Sequence, residues 1–115
     1  MASRYRQLRV YRLATELAAE VRSDVLRWGS FDRDSLGLQL VRAIESVGAN
    51  IAEAEGRWHA ADKRRLLFIA RGSLYETEHW LSRAHDSRLP CPVAADQLSE
   101  IGRLLNGMIK RPTPK

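Results

Sequence analysis

Hydrophobic residues recur along residues 37–57 at the spacing of an α-helix. Leu40, Ile44, Val47 and Ile51 follow one another at steps of four, three and four, which places them on one helical face. Small residues crowd the second half of the segment and allow other helices to approach closely; they are Ala43, Gly48, Ala49, Ala52 and Ala54. The pattern predicts the central helix of a helical bundle.

The same period predicts four helices in all, over residues 6–28, 36–55, 61–86 and 92–110. Gly29 is expected to end the first helix, because glycine tolerates the positive φ of that position. Asp34 or Ser35 is expected to cap the second helix, and Pro92 to begin the fourth. Residues 111–115 form a basic tail that we expect to be frayed.

Three of these helices carry apolar stripes like that of the central one. The stripes are Val10, Ala14, Leu17, Val21, Val25 and Trp28; Leu67, Ala70, Leu74, Thr77, Leu81 and Ala84; and Ala94, Leu98, Ile101, Leu105 and Met108. We expect Phe31 to tuck under the end of the bundle. With three short connections and no strand pattern, the sequence predicts an all-α single domain, an antiparallel up-down-up-down four-helix bundle.

Polar residues interrupt the central helix where close packing favours leucine or alanine. Because buried polar groups must be paired, and such pairs fix helix register, we expect Asn50, Glu53 and Glu76 to bond between the second and third helices. An acid/base pair of glutamates is the alternative.

The third helix has more apolar surface than one bundle needs. Residues 66–69 are all apolar and, at roughly 100° per residue, cover most of the helix circumference. If Leu67 faces the core, Phe68 and Tyr75 lie on the back and Trp80 on a flank. Exposed patches of this kind mark contacts, so we predict a homo-oligomer. Alternatively, the N-terminal arm or Phe31 covers part of the patch.

The charge of the chain points to a polyanionic partner. The net charge is +5, and 16 of the 19 basic residues are arginine, which binds phosphate in a planar fork. A genomic bias towards arginine codons explains the same composition without a partner. The 115 residues, 44% of them hydrophobic and 29% charged, fit one globular domain.

Arginine alternates with aromatic residues on the back of the third helix, in the order Arg64, Phe68, Arg71 and Tyr75. A platform for single-stranded nucleic acid needs this combination, because bases stack on rings while guanidinium groups neutralise phosphates. The alternative is a subunit interface in which both arginines pair with acids of a neighbouring copy.

A second basic cluster lies near the N-terminus and consists of Arg4, Arg6, Arg9 and Arg12. It is either a solvated helix start or a nonspecific phosphate contact.

The remaining chemistry argues against an enzyme, a metal or a cofactor. Glu76 and His79 have the spacing of a di-metal bundle, but neither His59 nor His85 has a glutamate three residues before it. The single cysteine fits a reducing compartment. No apolar stretch follows the basic N-terminus, so we predict no signal peptide, no membrane span and a cytoplasmic location.

Two stretches together resemble the signatures of the bacterial four-helix bundle proteins encoded in intervening sequences of large-subunit ribosomal RNA genes. They are Arg42-Ala43, Ser46, Ala49-Asn50-Ile51-Ala52-Glu53 and Gly56-Arg57, and then Phe68-Ile69-Ala70-Arg71-Gly72-Ser73-Leu74-Tyr75-Glu76-Thr77-Glu78. Residues 104–110 are a weaker third match. Gly48 stands where the family usually has proline, and Ala54 where it usually has glycine.

The resemblance implies a four-helix bundle that commonly forms a ring-like pentamer, and no enzymatic activity. It also implies distant kinship with the accessory protein of diversity-generating retroelements, a basic pentamer that engages nucleic acid and a reverse transcriptase. We therefore expect a nonenzymatic homo-oligomeric scaffold that binds RNA or a ribonucleoprotein. The alternative is a protein–protein adaptor, without nucleic acid, for a partner encoded in the same operon.

Overall fold

The computed structural model describes residues 4–93 and 95–111, and all regular structure within them is helical. Its four long helices are α1 (Arg9–Val25), α2 (Leu38–Glu55), α3 (Ala60–Asp86) and α4 (Ala95–Lys110). A 3₁₀ turn, Arg4–Gln7, precedes α1. The prediction of an all-α fold with four helices is confirmed.

The predicted stripes form the core. Every stripe residue of α1 and α2 is buried, together with Trp28 just beyond α1. In α3 the stripe is buried except for the half-buried Leu81. In α4, Ile101, Leu105 and Ile109 are buried while Leu98 and Met108 are half-buried; Ala94 lies outside the described residues. Each fully buried leucine or isoleucine contributes roughly 1.5–3 kcal/mol, so these stripes dominate the stability.

The predictions for the connection between α1 and α2 are wrong. Gly29 does not end α1 with a positive φ; its φ is −61°, and it precedes a helical turn, Ser30–Asp32. A π-helical turn, Arg33–Gly37, leads directly into α2. Asp34 and Ser35 therefore lie inside helical structure and cap nothing, and the Ser35 hydroxyl donates back to the Phe31 carbonyl at 2.6 Å.

Trp28, rather than Phe31, closes this end of the bundle. Phe31 is 81% exposed, whereas Trp28 is only 5% exposed. The indole packs beside Gly37, where an added Cβ would lie 3.3 Å from the ring and 2.6 Å from Val25 Cγ1. The absence of a side chain at Gly37 thus allows α1 to meet the start of α2 closely.

The connection between α3 and α4 contains the left-handed residue that we expected at Gly29. Arg88 has a φ of 59°, and the Leu89 amide donates to the Ala84 carbonyl at 2.9 Å. This bond satisfies one of the free carbonyls at the end of α3. Regular α4 begins at Ala95, so the prediction that Pro92 is its first residue is wrong.

Each helix contacts two others. Gly48 of α2 lies against α1, and a Cβ added to it would be 3.2 Å from Thr15 Cγ2. This small residue therefore allows the close approach of α1 rather than of α3. Between α2 and α3, the hydroxyls of Ser46 and Ser73 are hydrogen-bonded at 2.8 Å. On the other side, α4 packs against both α1 and α3.

None of the helices in the described part of the chain is long and apolar enough to cross a membrane.

Candidate functional site

The predicted arginine–aromatic stripe lies on the outer face of α3. Phe68 is 44% exposed and Tyr75 is 59% exposed, so both rings reach solvent as the helical spacing predicts. The guanidinium of Arg71 sits over the Phe68 ring, 4.9 Å from its centroid. The structure therefore places the aromatic and cationic parts of this stripe together.

Both arginines of the stripe also bind α4, which the sequence did not indicate. Arg64 Nε donates to the Ile109 carbonyl at 3.1 Å, and Arg71 Nη1 donates to Asn106 Oδ1 at 2.9 Å. The first bond satisfies a carbonyl near the C-terminus of α4, where the helix dipole also favours a cation. Each guanidinium keeps other N–H donors, so these contacts leave part of each fork available to a ligand.

An apolar hollow adjoins the stripe at the start of α3. It holds about 520 Å³ and is lined by Ala61, Arg64, Arg65, Phe68 and Ile69. Ile69 is 43% exposed, which confirms that α3 carries apolar surface that its own bundle does not cover.

Trp80 lies on the flank of α3 and is half-buried. Its indole Nε1 donates to Glu76 Oε2 at 3.2 Å, and the His79 ring meets it edge-on with centroids 4.7 Å apart. Glu76 is exposed and reaches along its own helix rather than across to α2.

The predicted polar register between α2 and α3 is wrong in its members. Glu53 is exposed and pairs with Arg57 one turn later at 2.7 Å; this hydrogen bond, followed by the Glu53 charge, raises the pKa of Arg57. Asn50 donates to the carbonyl and hydroxyl of Ser46 within α2. One polar link between the two helices is the Ser46–Ser73 hydroxyl pair, and Asn50 bonds to Ser46 within α2.

The N-terminal arginines differ in their surroundings. Arg9 forms an ion pair with Glu100 of α4, its Nε lying 3.0 Å from the carboxylate. Arg6 lies 5.6 Å from the centroid of the Tyr5 ring. Arg4 and Arg12 are exposed and have no ion pair with any other described residue. Among the described residues, therefore, only Arg9 of the four predicted arginines pairs with a carboxylate.

The described residues contain no group of three or more histidine, cysteine, aspartate or glutamate side chains placed to hold a metal ion. Cys91 is half-buried beside Asp24. Burial, then the charge of Asp24 and a hydrogen bond to it, raise the pKa of this thiol to about 11. The thiol is therefore protonated, and a poor nucleophile, near neutral pH.

Comparison with known proteins identifies the chain by family. No curated protein and no solved structure matches it significantly. Residues 6–111 match the family described as 23S rRNA-intervening sequence protein, a span that covers all four helices and the stripe on α3. The chain therefore belongs to the family of 23S rRNA-intervening sequence proteins.

Proposed function

We propose that the protein is a nonenzymatic homo-oligomeric scaffold that binds RNA or a ribonucleoprotein through its basic surfaces. The observation that carries the proposal is the outer face of α3, where exposed rings at Phe68 and Tyr75 alternate with Arg64 and Arg71. In a chain of net charge +5, such a face offers stacking and phosphate neutralisation together.

The proposed assembly is a ring-like homo-oligomer, a pentamer like its distant kin, of antiparallel up-down-up-down bundles. Contacts between the helices support the antiparallel order. Arg64 contacts Ile109, whereas Arg71, which comes later in α3, contacts Asn106, which comes earlier in α4. The contacts between α1 and α4 run in opposite sequence order in the same way. The exposed Phe68 and Ile69 support self-association, because a monomer would leave them in water. The single cysteine agrees with a cytoplasmic location.

In this proposal the residues divide into two roles. Arg64, Arg71 and the N-terminal Arg4, Arg6, Arg9 and Arg12 supply phosphate contacts. Phe68, Tyr75 and the half-buried Trp80 stack on bases or contact the neighbouring subunit. No cofactor or metal takes part.

A filter-binding titration of RNA and DNA at several salt concentrations tests the proposal. Each phosphate contact lowers the slope of log affinity against log salt by roughly 0.7 for a single strand, so affinity must fall as salt rises. The proposal is overturned if the protein shows no salt-sensitive affinity for either nucleic acid.

The second candidate is a protein–protein adaptor for a reverse-transcriptase-like or other protein encoded in the same operon. The apolar hollow beside Phe68 favours it, as do the contacts that Arg64 and Arg71 make with α4. Reversing the charge of both arginines to glutamate separates the candidates. The scaffold loses nucleic-acid retention, whereas the adaptor, which binds no nucleic acid, still captures its operon partner.

Reversal of the charge of Arg42 is the control for that experiment. Arg42 is exposed on α2 and forms no ion pair in the part of the chain that the structure describes. A loss of retention in both variants would indicate a general charge effect rather than a site on α3.

A further inference from the structure

A groove runs along the seam between the outer faces of α3 and α4. It holds about 940 Å³, and it is open because two residues of α4 that line it are glycines. A Cβ added to Gly107 would meet nothing within 4 Å, and one added to Gly102 would meet only Leu74 Cδ2, at 3.5 Å. Of the candidate site residues predicted from the sequence, only Tyr75 lines this groove.

The charge of the groove is predominantly positive. Its lining contains the cations Arg103, Lys110 and Arg111 and a single carboxylate, Glu78. Lys110 and Arg111 are exposed and have no ion pair among residues 4–93 and 95–111, whereas Arg103 lies 3.7 Å from Glu100. The groove therefore offers cations that no carboxylate within it neutralises.

The two arginines that contact α4 extend this positive field along the seam. Arg64 reaches the Ile109 carbonyl, and Arg71 reaches Asn106, which itself lines the groove. Both guanidinium groups thus lie against α4, and Arg71 contacts a residue of the groove lining while it stays over the Phe68 ring.

An exposed ring completes the arrangement. Tyr75 is 59% exposed and lies on the α3 side of the groove. A base stacks on such a ring only when it is unpaired, and the phosphates on either side of that base then need cations within reach. Tyr75 with Arg103, Lys110 and Arg111 meets both requirements, and a duplex would use only the cations.

From these observations we infer that the α3–α4 groove is the binding site for single-stranded nucleic acid, with a base on Tyr75 and the backbone along Arg103, Lys110 and Arg111. The inference rests on the proposed function and deepens it. It moves the site from the outer stripe of α3 to the seam, and it selects single strands over duplexes.

The first test fills the groove without changing its charge. Gly107→Leu places a side chain in the open space, and leucine is the better helix former, so the fold is retained. With a labelled uridine oligonucleotide of about 20 nucleotides, longer than the roughly 4–16 that one small binding fold covers, we expect at least about tenfold weaker binding.

The matched control is Gly72→Leu. Gly72 also has nothing within 4 Å of its Cβ position; it is exposed beside the arginine–aromatic stripe of α3, is not one of the four stripe residues and does not line the groove. We expect binding within about twofold of the wild type, the ordinary scatter of a surface substitution. If Gly72→Leu weakens binding and Gly107→Leu does not, the site is the stripe and the inference is overturned.

The second test removes charge from the groove. Arg103→Ala with Lys110→Ala deletes two of its cations, and we expect the log–log salt slope to become shallower by roughly 1.4. Arg42→Ala with Arg65→Ala removes the same charge from exposed positions outside the groove and should leave the slope nearly unchanged. Equal slopes in both double variants would overturn the inference.

The two levels of the proposal fail in different ways. If the wild-type protein binds neither the oligonucleotide nor a duplex of the same sequence, the proposed function falls and the groove site falls with it. If the wild type binds with salt dependence and both groove variants bind as tightly as the wild type, only the groove site falls. Equal affinity for the duplex would likewise remove the role given to Tyr75.

Discussion

The indole Nε1 of Trp28 donates a hydrogen bond to the backbone carbonyl of Pro90 at 2.9 Å, across 62 positions of sequence. Trp28 follows α1, and Pro90 lies between α3 and α4, so one bond joins two connections at the same end of the bundle. Because Trp28 is only 5% exposed, water cannot readily replace the carbonyl as the acceptor of its indole N–H.

Replacing Trp28 with phenylalanine should therefore destabilise the protein. The variant leaves the Pro90 carbonyl without its donor and the smaller ring leaves a gap beside Gly37. We expect the free energy of unfolding to fall by about 1–3 kcal/mol, measured by urea denaturation followed by circular dichroism.

Trp58→Phe is the control for this substitution. Trp58 lies between α2 and α3 and is 69% exposed, so its replacement should change the free energy of unfolding by less than about 0.5 kcal/mol. Equal effects of the two substitutions would mean that the Trp28–Pro90 bond adds nothing beyond the size of the side chain.

A methyl group at Gly37 should also destabilise the fold. The new Cβ would lie 2.6 Å from Val25 Cγ1 and 3.1 Å from the Asp32 carbonyl oxygen, and neither the branched side chain nor the backbone yields easily. We expect Gly37→Ala to lower the free energy of unfolding by about 1–3 kcal/mol, less what alanine gains as a helix former.

The same change at Gly72 should have the opposite sign. Gly72 lies within α3 with open space around its Cβ position, so alanine should raise the free energy of unfolding by roughly 0.5–1 kcal/mol. If thermal unfolding shows both variants equally stabilised, then close packing at Gly37 does not limit the approach of α1 to α2.

The sequence was sufficient for the helices and their buried faces. The spacing of residues such as Leu40 and Ile44 is a local property, and a helix with one apolar stripe has only one face to bury. The sequence also indicated the observed partners of Glu53 and Glu76. Arg57 and Trp80 each lie four residues later, a spacing at which side chains of one helix are neighbours.

The spacing of hydrophobic residues does not determine the polar contacts between helices. The Ser46–Ser73 pair depends on how far α3 slides along α2, and the bond from Arg64 to Ile109 depends on where α4 ends beside α3. The bundle forms although Glu53 and Glu76 face solvent, because the apolar stripes rather than these carboxylates bring α2 and α3 together. The sequence did not indicate the α3–α4 groove either, because it depends on how α4 lies against α3. Taken alone, Gly102 and Gly107 indicate only weak helix formers.

Cys91 should react slowly with alkylating reagents in the folded protein. Its pKa is raised to about 11, so the thiolate fraction at pH 8 is roughly 100-fold below that of an ordinary thiol. We expect the rate of iodoacetamide labelling to keep rising about tenfold per pH unit until the pH reaches about 11, whereas an ordinary thiol levels off near its lower pKa. Asp24→Asn should accelerate it in part, because burial, the largest cause of the raised pKa, remains.

The same pKa gives a signed prediction for stability. The folded protein holds the Cys91 proton up to about pH 11, while the unfolded chain loses it near 9, so the contribution of this thiol is complete below pH 9. It is lost as the pH rises from 9 to 11. Cys91→Ala should flatten this part of the pH profile of unfolding; an unaltered profile would contradict the raised pKa.

Removal of the exposed apolar pair on α3 should dissociate the proposed oligomer. Phe68 and Ile69 are 44% and 43% exposed, so Phe68→Ser with Ile69→Ser costs the isolated bundle little, whereas an interface loses its apolar centre. Sedimentation velocity should show the double variant at the monomer mass of 13.1 kDa and the wild type at a multiple of it.

Leu26→Ser removes a 62% exposed residue beyond the end of α1 and should leave the assembly intact. If Leu26→Ser dissociates the oligomer and the double variant does not, the subunits meet through the end of the bundle. A wild-type protein that is already monomeric would remove self-association from the proposed function and leave the outer face of α3 free for another partner.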